Sequence, residues 1–411
     1  MSSALPKWEP VEGHVATPLG FRAAAVAAGF KKAGDALDLA LIFSDAPATT
    51  AAGVFTTNLV AAAPVMLSRR NLAESRGRCR AIVVNSGNAN ACTGRAGADT
   101  AQETARVAGD LLGIEPSQVL VASTGVIGVP LNPELILSQL PHLKESLAKE
   151  NAGRVASAIM TTDTFPKTCV VRSQTKGGKV THIAGIAKGA GMIHPHMATM
   201  LAFITTDVAT SERMLHFLLL EAAKESFNRV TVDGDTSTND TLVALASGLS
   251  QLTVVPGNAS RAWFKEGLTL VCQTLARMIA RDGEGASKLV TVEVAGAQTP
   301  SDADRAARAI ANSPLVKTAL AGSDPNWGRI ICAAGYSGAK FDPDKIEVRV
   351  NDLVLCRKGV EAGFDEAVAH RELDGKEILL HVDLHAGKAS ARIWTCDFTC
   401  DYIDINSSYR S

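Results

Sequence analysis

Apolar residues fall along this chain in short runs parted by turn-forming clusters, and the period of each run separates strands from helices. Ala81-Ile-Val-Val84 is continuous and predicts a buried strand ending in the polar turn Asn85-Ser-Gly-Asn-Ala-Asn90. Val119 to Ala122 predicts another, running into Ser123-Thr-Gly125. Between them, residues 98–112 keep a helical period and stop at Gly113. Helices are also expected over 131–140, 155–160 and 211–227, and Val230-Thr-Val232 predicts a strand opening onto the polar run Asp233 to Asp240. Over 261–281, Leu268, Val271, Leu275 and Ile279 share one helical face, and Gly283 ends it. Toward the C-terminus the alternation is that of strands, at 289–294 and 346–350, with Asn351-Asp352 as a turn into Leu353-Val-Leu355. A second hairpin is expected from 378–384 and 389–395 around His385-Ala-Gly-Lys388. Strands and helices without strict βαβ alternation favour an α+β class of layered sheets covered by helices. A composition shift near 283–288 divides the chain into a domain 1–285 and a smaller one, 286–411.

Composition narrows the functions without choosing one. At 411 residues, 46% hydrophobic and 20% charged, the chain has ample material for a core. A net charge of −1 provides no basic field, so neither nucleic acid nor an anionic membrane is expected as a partner. No apolar run reaches membrane-spanning length, and the stretch Phe21 to Phe30 comes late for a signal peptide and contains Arg22, which makes a cytoplasmic compartment the simplest expectation. Eight scattered cysteines include one close pair, Cys396 and Cys400, with no second pair and no histidine at ligand spacing. Reduced thiols are expected, with no metal site and no cofactor.

The chemistry centres on Lys188-Gly-Ala-Gly-Met-Ile-His-Pro-His-Met-Ala-Thr199, a Gly/Pro-punctuated loop followed at once by the apolar segment Met200 to Ile204. If the chain cuts itself between Ala198 and Thr199, the threonine gains a free α-amine beside its own hydroxyl. An unperturbed α-amine, with a pKa of about 7.7–8.0, keeps a useful neutral fraction at physiological pH and can take the hydroxyl proton. The small Ala198 leaves its carbonyl open to the attack that cutting requires. The bland alternative is an ordinary threonine leading into a buried strand.

The stretch from Lys188 to Leu201 resembles the cleavage signature of the ornithine acetyltransferase family, bifunctional enzymes of arginine biosynthesis also called glutamate N-acetyltransferase/amino-acid N-acetyltransferase. The likeness continues through Gly20 to Ala24, Asn85 to Asn90, Ser123 to Gly128, Ile159-Met-Thr-Thr-Asp-Thr164, Asp233 to Asp240, Arg281 to Gly285, Asp324 to Arg329 and the terminal Asn406 to Ser411. It implies an α/β/β/α sandwich of the self-cleaving N-terminal-nucleophile type with a smaller α/β domain, cut into chains 1–198 and 199–411 that assemble two and two as a heterotetramer. The implied reaction moves the acetyl group of N2-acetyl-L-ornithine to L-glutamate through an acetylated Thr199, and many members also take it from acetyl-CoA. Thr124 and Gly125 correspond to the oxyanion pair. Thr161, Lys188, Thr199, Glu284, Asn406 and Ser411 correspond to substrate contacts, with Thr161 preferred over Thr162 through the motif alone. Two alternatives remain: an aminopeptidase or amidase of similar fold, in which water is the acceptor, and an uncut binding protein.

Other features draw weaker readings. His194 and His196 flank Pro195 near the nucleophile, but the amine already fills the role of base. Asp233, Asp235 and Asp240 imitate a calcium loop whose sixth and twelfth positions, Thr238 and Ala244, are wrong for it. They are expected to brace a turn and cap a following helix. Lys188-Gly-Ala-Gly191 lacks the ending of a phosphate loop.

Overall fold

The two runs expected as buried strands lie side by side and parallel, Ala81 opposite Val119, in a computed structural model that describes residues 6–175, 177–194 and 200–407. These residues form two compact units. The first takes 6–189, 200–228 and 235–275; the second takes 190–194, 229–234 and 276–407. The boundary expected at 285/286 is therefore drawn at 275/276, and two short loop segments join the second unit.

The first unit carries strands β1 (Glu9–Val11), β2 (Phe21–Val26), β3 (Leu39–Ser44), β4 (Thr50–Phe55), β5 (Ala81–Asn88), β6 (Val119–Val126), β7 (Lys167–Gln174), β8 (Val180–Lys188), β9 (Leu201–Thr206) and β10 (Thr241–Ala246). One sheet has the order β1-β7-β8-β9-β10-β4 and the other β2-β3-β5-β6. Alternate residues from both meet in one core: Ala23, Ile42, Ile82 and Leu120 from the small sheet, Ile186, Phe203 and Val243 from the large one. The opposite parity of the small sheet, including Leu41, Val83 and Val121, packs on helices α1 (Ala63–Glu74), α2 (Gly94–Leu112), α3 (Glu134–Leu137) and α4 (Leu140–Glu145). A short helix, α5 (Val155–Ala158), joins the inner core. Outside the large sheet lie α6 (Glu212–Lys224) and α7 (Ala259–Arg281), and Val271 and Leu275 of α7 come down on Gly185 of β8. The layers are thus α/β/β/α, as expected. Strands covered on both faces show no alternation: all six residues of β9 and of β10 are buried.

In the second unit β11 (Leu289–Ala297), β12 (Glu347–Val350), β13 (Leu353–Arg357), β14 (Val360–Glu361), β15 (Glu377–Asp383) and β16 (Ala389–Cys396) form a sheet of order β14-β13-β12-β15-β11-β16. Val290, Val292, Leu380 and Val382 face a core shared with α8 (Pro300–Asn312), α9 (Pro314–Ala321), α10 (Trp327–Gly335) and α11 (Glu366–Leu373). The chain continues into α12 (Cys400–Ser407).

Four expectations give way. The run 378–395 is not a hairpin: β11 lies between β15 and β16, and the joining loop crosses its end, where the Ala386 and Gly387 amides both donate to the Gly296 carbonyl at 2.7 Å. Residues 230–232 make a single bridge, Val230 to Trp394, because the Val232 amide and the Thr231 hydroxyl turn instead to the Ile193 carbonyl. The helix expected over 131–140 breaks in two, since Pro141 cannot continue it and starts a new one. No helix follows Asp240; the uninterrupted apolar run behind it is β10. Among the described residues no helix is long and apolar enough to cross a membrane.

Candidate active site

Lys188 ends β8 directly opposite Leu201, the first residue of β9, so the loop bearing the expected cut is closed by a paired strand end. Its side chain runs inward and is only 3% exposed. There Nζ donates to the Thr161 hydroxyl at 2.6 Å and to the Thr124 hydroxyl at 3.4 Å. Three residues far apart in sequence, each expected at the site, thus share one buried hydrogen-bonded cluster.

The cluster depends on Asp163, for which the sequence reading named no role. One of its oxygens accepts from Lys167 Nζ at 2.6 Å and from the Gly189 amide at 2.7 Å; the other accepts the Thr161 amide at 3.0 Å and lies 3.9 Å from Lys188 Nζ. Burial alone would raise its pKa, but the charges of Lys188 and Lys167 and the hydrogen bonds outweigh burial and hold it down at about 2. A carboxylate so held orients the Thr161 loop and the start of the 189–200 segment together.

Thr124 and Gly125 sit near the end of β6, where its pairing with β5 is irregular around Gly87 and Asn88. Gly125 has φ +131°, and a Cβ there would stand 2.3 Å from the Gly87 carbonyl carbon. Only glycine fits. Asn239 secures this strand end by donating to the Ser123 carbonyl at 2.8 Å and to the Ala89 carbonyl at 2.6 Å. Within the motif 85–90 the side chains brace their own turn: Asn85 donates to the Asn88 carbonyl and accepts from the Ser123 hydroxyl.

In the second unit Glu284 follows α7 and is 7% exposed. Its amide donates to the Ala190 carbonyl at 2.9 Å, and its carboxylate accepts from Asn406 Nδ2 at 2.8 Å. Gly191 leaves room for that carboxylate, since a Cβ there would meet it at 2.2 Å. Asp233 accepts the amides of Met192 at 2.5 Å and Ile193 at 2.9 Å. Ala198, Thr199, His196 and Ser411 lie outside the described residues.

The sequence profile of the ArgJ family matches residues 22–411. The chain belongs to the ArgJ family. A relative in Symbiobacterium thermophilum, named arginine biosynthesis bifunctional protein ArgJ, is 50% identical over 405 residues, 98% of this chain and 100% of the relative. One of the same name in Geobacter sulfurreducens is 50% identical over 394 residues, 95% and 99% of the two chains. A solved structure of the Bacillus halodurans ArgJ protein is 44% identical and covers 50% of this chain and 98% of its own, with a TM-score of 0.49. This ArgJ chain is an enzyme of arginine biosynthesis.

Among the described residues, no three His, Cys, Asp or Glu side chains of the ArgJ chain gather as a metal site. What the sequence reading missed in it are acceptors of backbone N–H groups: Asp163, Asp233 and Asp240. Two of these stood in plain view as the ends of the 233–240 motif. They act on distant amides rather than on their own turn, and no local pattern announces such a contact.

Proposed function

We propose that this ArgJ enzyme cuts itself between Ala198 and Thr199 and then carries an acetyl group on Thr199 from N2-acetyl-L-ornithine to L-glutamate. Cutting begins when Thr199 Oγ attacks the Ala198 carbonyl; the resulting ester is opened by water, leaving Ala198 a carboxylate and Thr199 an α-amine. In the transfer, the amine takes the hydroxyl proton as Oγ attacks the acetyl carbonyl of the donor, and the proton passes to the departing ornithine nitrogen. The amine of glutamate then attacks the acetyl-threonine ester, releasing N-acetylglutamate and returning a proton to Oγ.

The observation that carries the reading is the buried Lys188–Thr161–Thr124 cluster, set where β8 ends against the first residue of β9. Thr124 and the Gly125 amide are the proposed oxyanion donors, and such a donor stabilises a transition state by about 2.7–4 kcal/mol. Donor and acceptor both carry an α-carboxylate, for which the Lys188 ammonium is the matching charge. Glu284 suits the side-chain ammonium of ornithine, and Thr161, Asn406 and Ser411 are further proposed contacts. Acetyl-CoA as a second donor and an assembly of two cut protomers complete the proposal, with no cofactor beyond the substrates. The deciding assay mixes acetylornithine with labelled glutamate and follows label into N-acetylglutamate against free acetate. Transfer supports the reading; acetate alone would mean that water is the acceptor, as in an amidase.

A further inference from the structure

The loop between β2 and β3 closes on Asp38, a fully buried carboxylate. Its Oδ1 accepts the Ala28 amide at 2.6 Å, and its Oδ2 accepts the amides of Phe30 and Lys31 at 2.6 and 3.0 Å. Three amides on one carboxylate fix the backbone that carries Lys31. The loop also rests on the strand end that bears Thr124 and Gly125. The Ser86 amide of β5 donates to the Asp38 carbonyl at 2.8 Å, and a Cβ on Gly87 would stand 3.0 Å from the Phe30 carbonyl oxygen. Gly87 is itself the partner of Gly125 across the β5–β6 pair. From the same strand the Ser86 hydroxyl donates to the Ala158 carbonyl at 2.6 Å, at the end of α5 and shortly before Thr161.

Lys31 is thus held against the Lys188–Thr161–Thr124 cluster, and the charges on both sides register it. Partial burial lowers the pKa of its ammonium most; Asp38 and Asp163 pull it up, and Lys188 pushes it down. Two ammonium groups therefore repel each other across one site. Lys188 is offset by the nearby Asp163 carboxylate. Among the described residues Lys31 Nζ donates to one acceptor, the neutral Leu37 carbonyl at 2.7 Å, and forms no ion pair. An ammonium has three N–H donors, so two are left for a ligand. The substrates proposed above differ in what they bring to such a group. Both carry an α-carboxylate, but acetylornithine adds a side-chain ammonium and glutamate a second carboxylate.

We propose that Lys31 holds the side-chain carboxylate of the acceptor glutamate while Lys188 holds its α-carboxylate. The inference rests on the proposed transfer to glutamate and names the residue that selects the acceptor. A ligand with two carboxylates relieves the repulsion between the two lysines, whereas the side-chain ammonium of ornithine adds to it at Lys31. Lys31 therefore acts in the second half of the reaction and is idle in the first.

Wild-type protein that transfers no acetyl group to glutamate sinks the proposed function and this inference together. Where the wild type transfers, Lys31→Met should raise KM for glutamate by about tenfold or more. Exchange of labelled ornithine into acetylornithine needs no glutamate and should keep its rate and its KM. Lys31→Arg, which retains the charge, should keep most of the wild-type use of glutamate. An unchanged KM for glutamate, or an equal loss in transfer and exchange, overturns the inference and leaves the proposed function standing. So does a loss confined to acetyl-CoA as donor, which would assign the lysine to a phosphate instead. Should Lys31→Met fail to fold, reductive methylation of wild-type lysines, read by peptide mass, decides. N-acetylglutamate should shield Lys31 and the uncharged N-acetylglutamine should not; equal labelling with the two overturns the proposal.

Discussion

Asp163 shows how a single buried carboxylate can tie two separate segments together, through the Thr161 and Gly189 amides and the Lys167 ammonium. Replacing it by Asn removes the carboxylate charge that the fully buried Lys167 ammonium meets at 2.6 Å. Asp163→Asn should therefore cost about 3 kcal/mol of stability at pH 7, read by urea unfolding. The dependence on pH has a definite sign. A carboxylate held at about 2 in the fold contributes in full above its unfolded pKa of about 3.9 and loses that contribution as pH falls through the folded value. The gap between wild type and variant should close between about pH 4 and pH 2. Thr124→Ala should spare folding and lower kcat by about 10²–10³ in the transfer assay with KM little changed, as loss of an oxyanion donor does. An equal fall in kcat/KM caused by KM alone would place Thr124 in ground-state binding instead. At this scale, Lys188, Thr161 and Thr124 were legible as a group only through their resemblance to family motifs. Asp163 stood inside one of those motifs, but its partners at Gly189 and Lys188 are set by the fold.

Elements were read well wherever period and punctuation agreed. The helix expected over 98–112 is α2, one turn longer at its start and ending before Gly113, and the helix expected over 261–281 is α7, from Ala259. Ser211 caps α6, its hydroxyl accepting the Met214 amide at 3.3 Å, and Asn326 caps α10 in the same way through Arg329. Ser211→Ala should cost about 1 kcal/mol of stability and leave acetyl transfer intact. Gly125→Ala tests the strand end instead. Its φ of +131° and the 2.3 Å approach to Gly87 leave no room for a methyl group, so stability should fall by about 3 kcal/mol or more, with loss of transfer. What escaped the period was pairing. The 378–395 segment has the alternation of a hairpin, yet β11 enters from residues 289–297 and separates its halves. Alternation reports which face is buried and carries no record of the neighbouring strand. The Asp233 to Asp240 run likewise looked like a capping loop because its acidic and hydroxyl residues suit one, while the strand behind it was set by five apolar residues in a row, Leu242 to Ala246.

At the scale of the whole molecule, α+β layering was legible from composition and element order, and the resemblance implied the α/β/β/α stack. The unit boundary was less so, since it falls inside the continuous helix α7, whose sequence gives no break there. If cut protomers assemble two and two, the native mass by light scattering should be twice that of one full chain, and chains of both kinds should co-elute. Labelled acetyl-CoA with glutamate should yield labelled N-acetylglutamate if the second donor is used. All of these expectations require an intact nucleophile. The most direct test is intact-mass and N-terminal analysis of denatured wild-type protein beside Thr199→Ala. The account predicts two wild-type fragments, the second starting at Thr199, and one uncut chain in the variant. A wild type that stays whole, or a fragment that begins at any other residue, would contradict it.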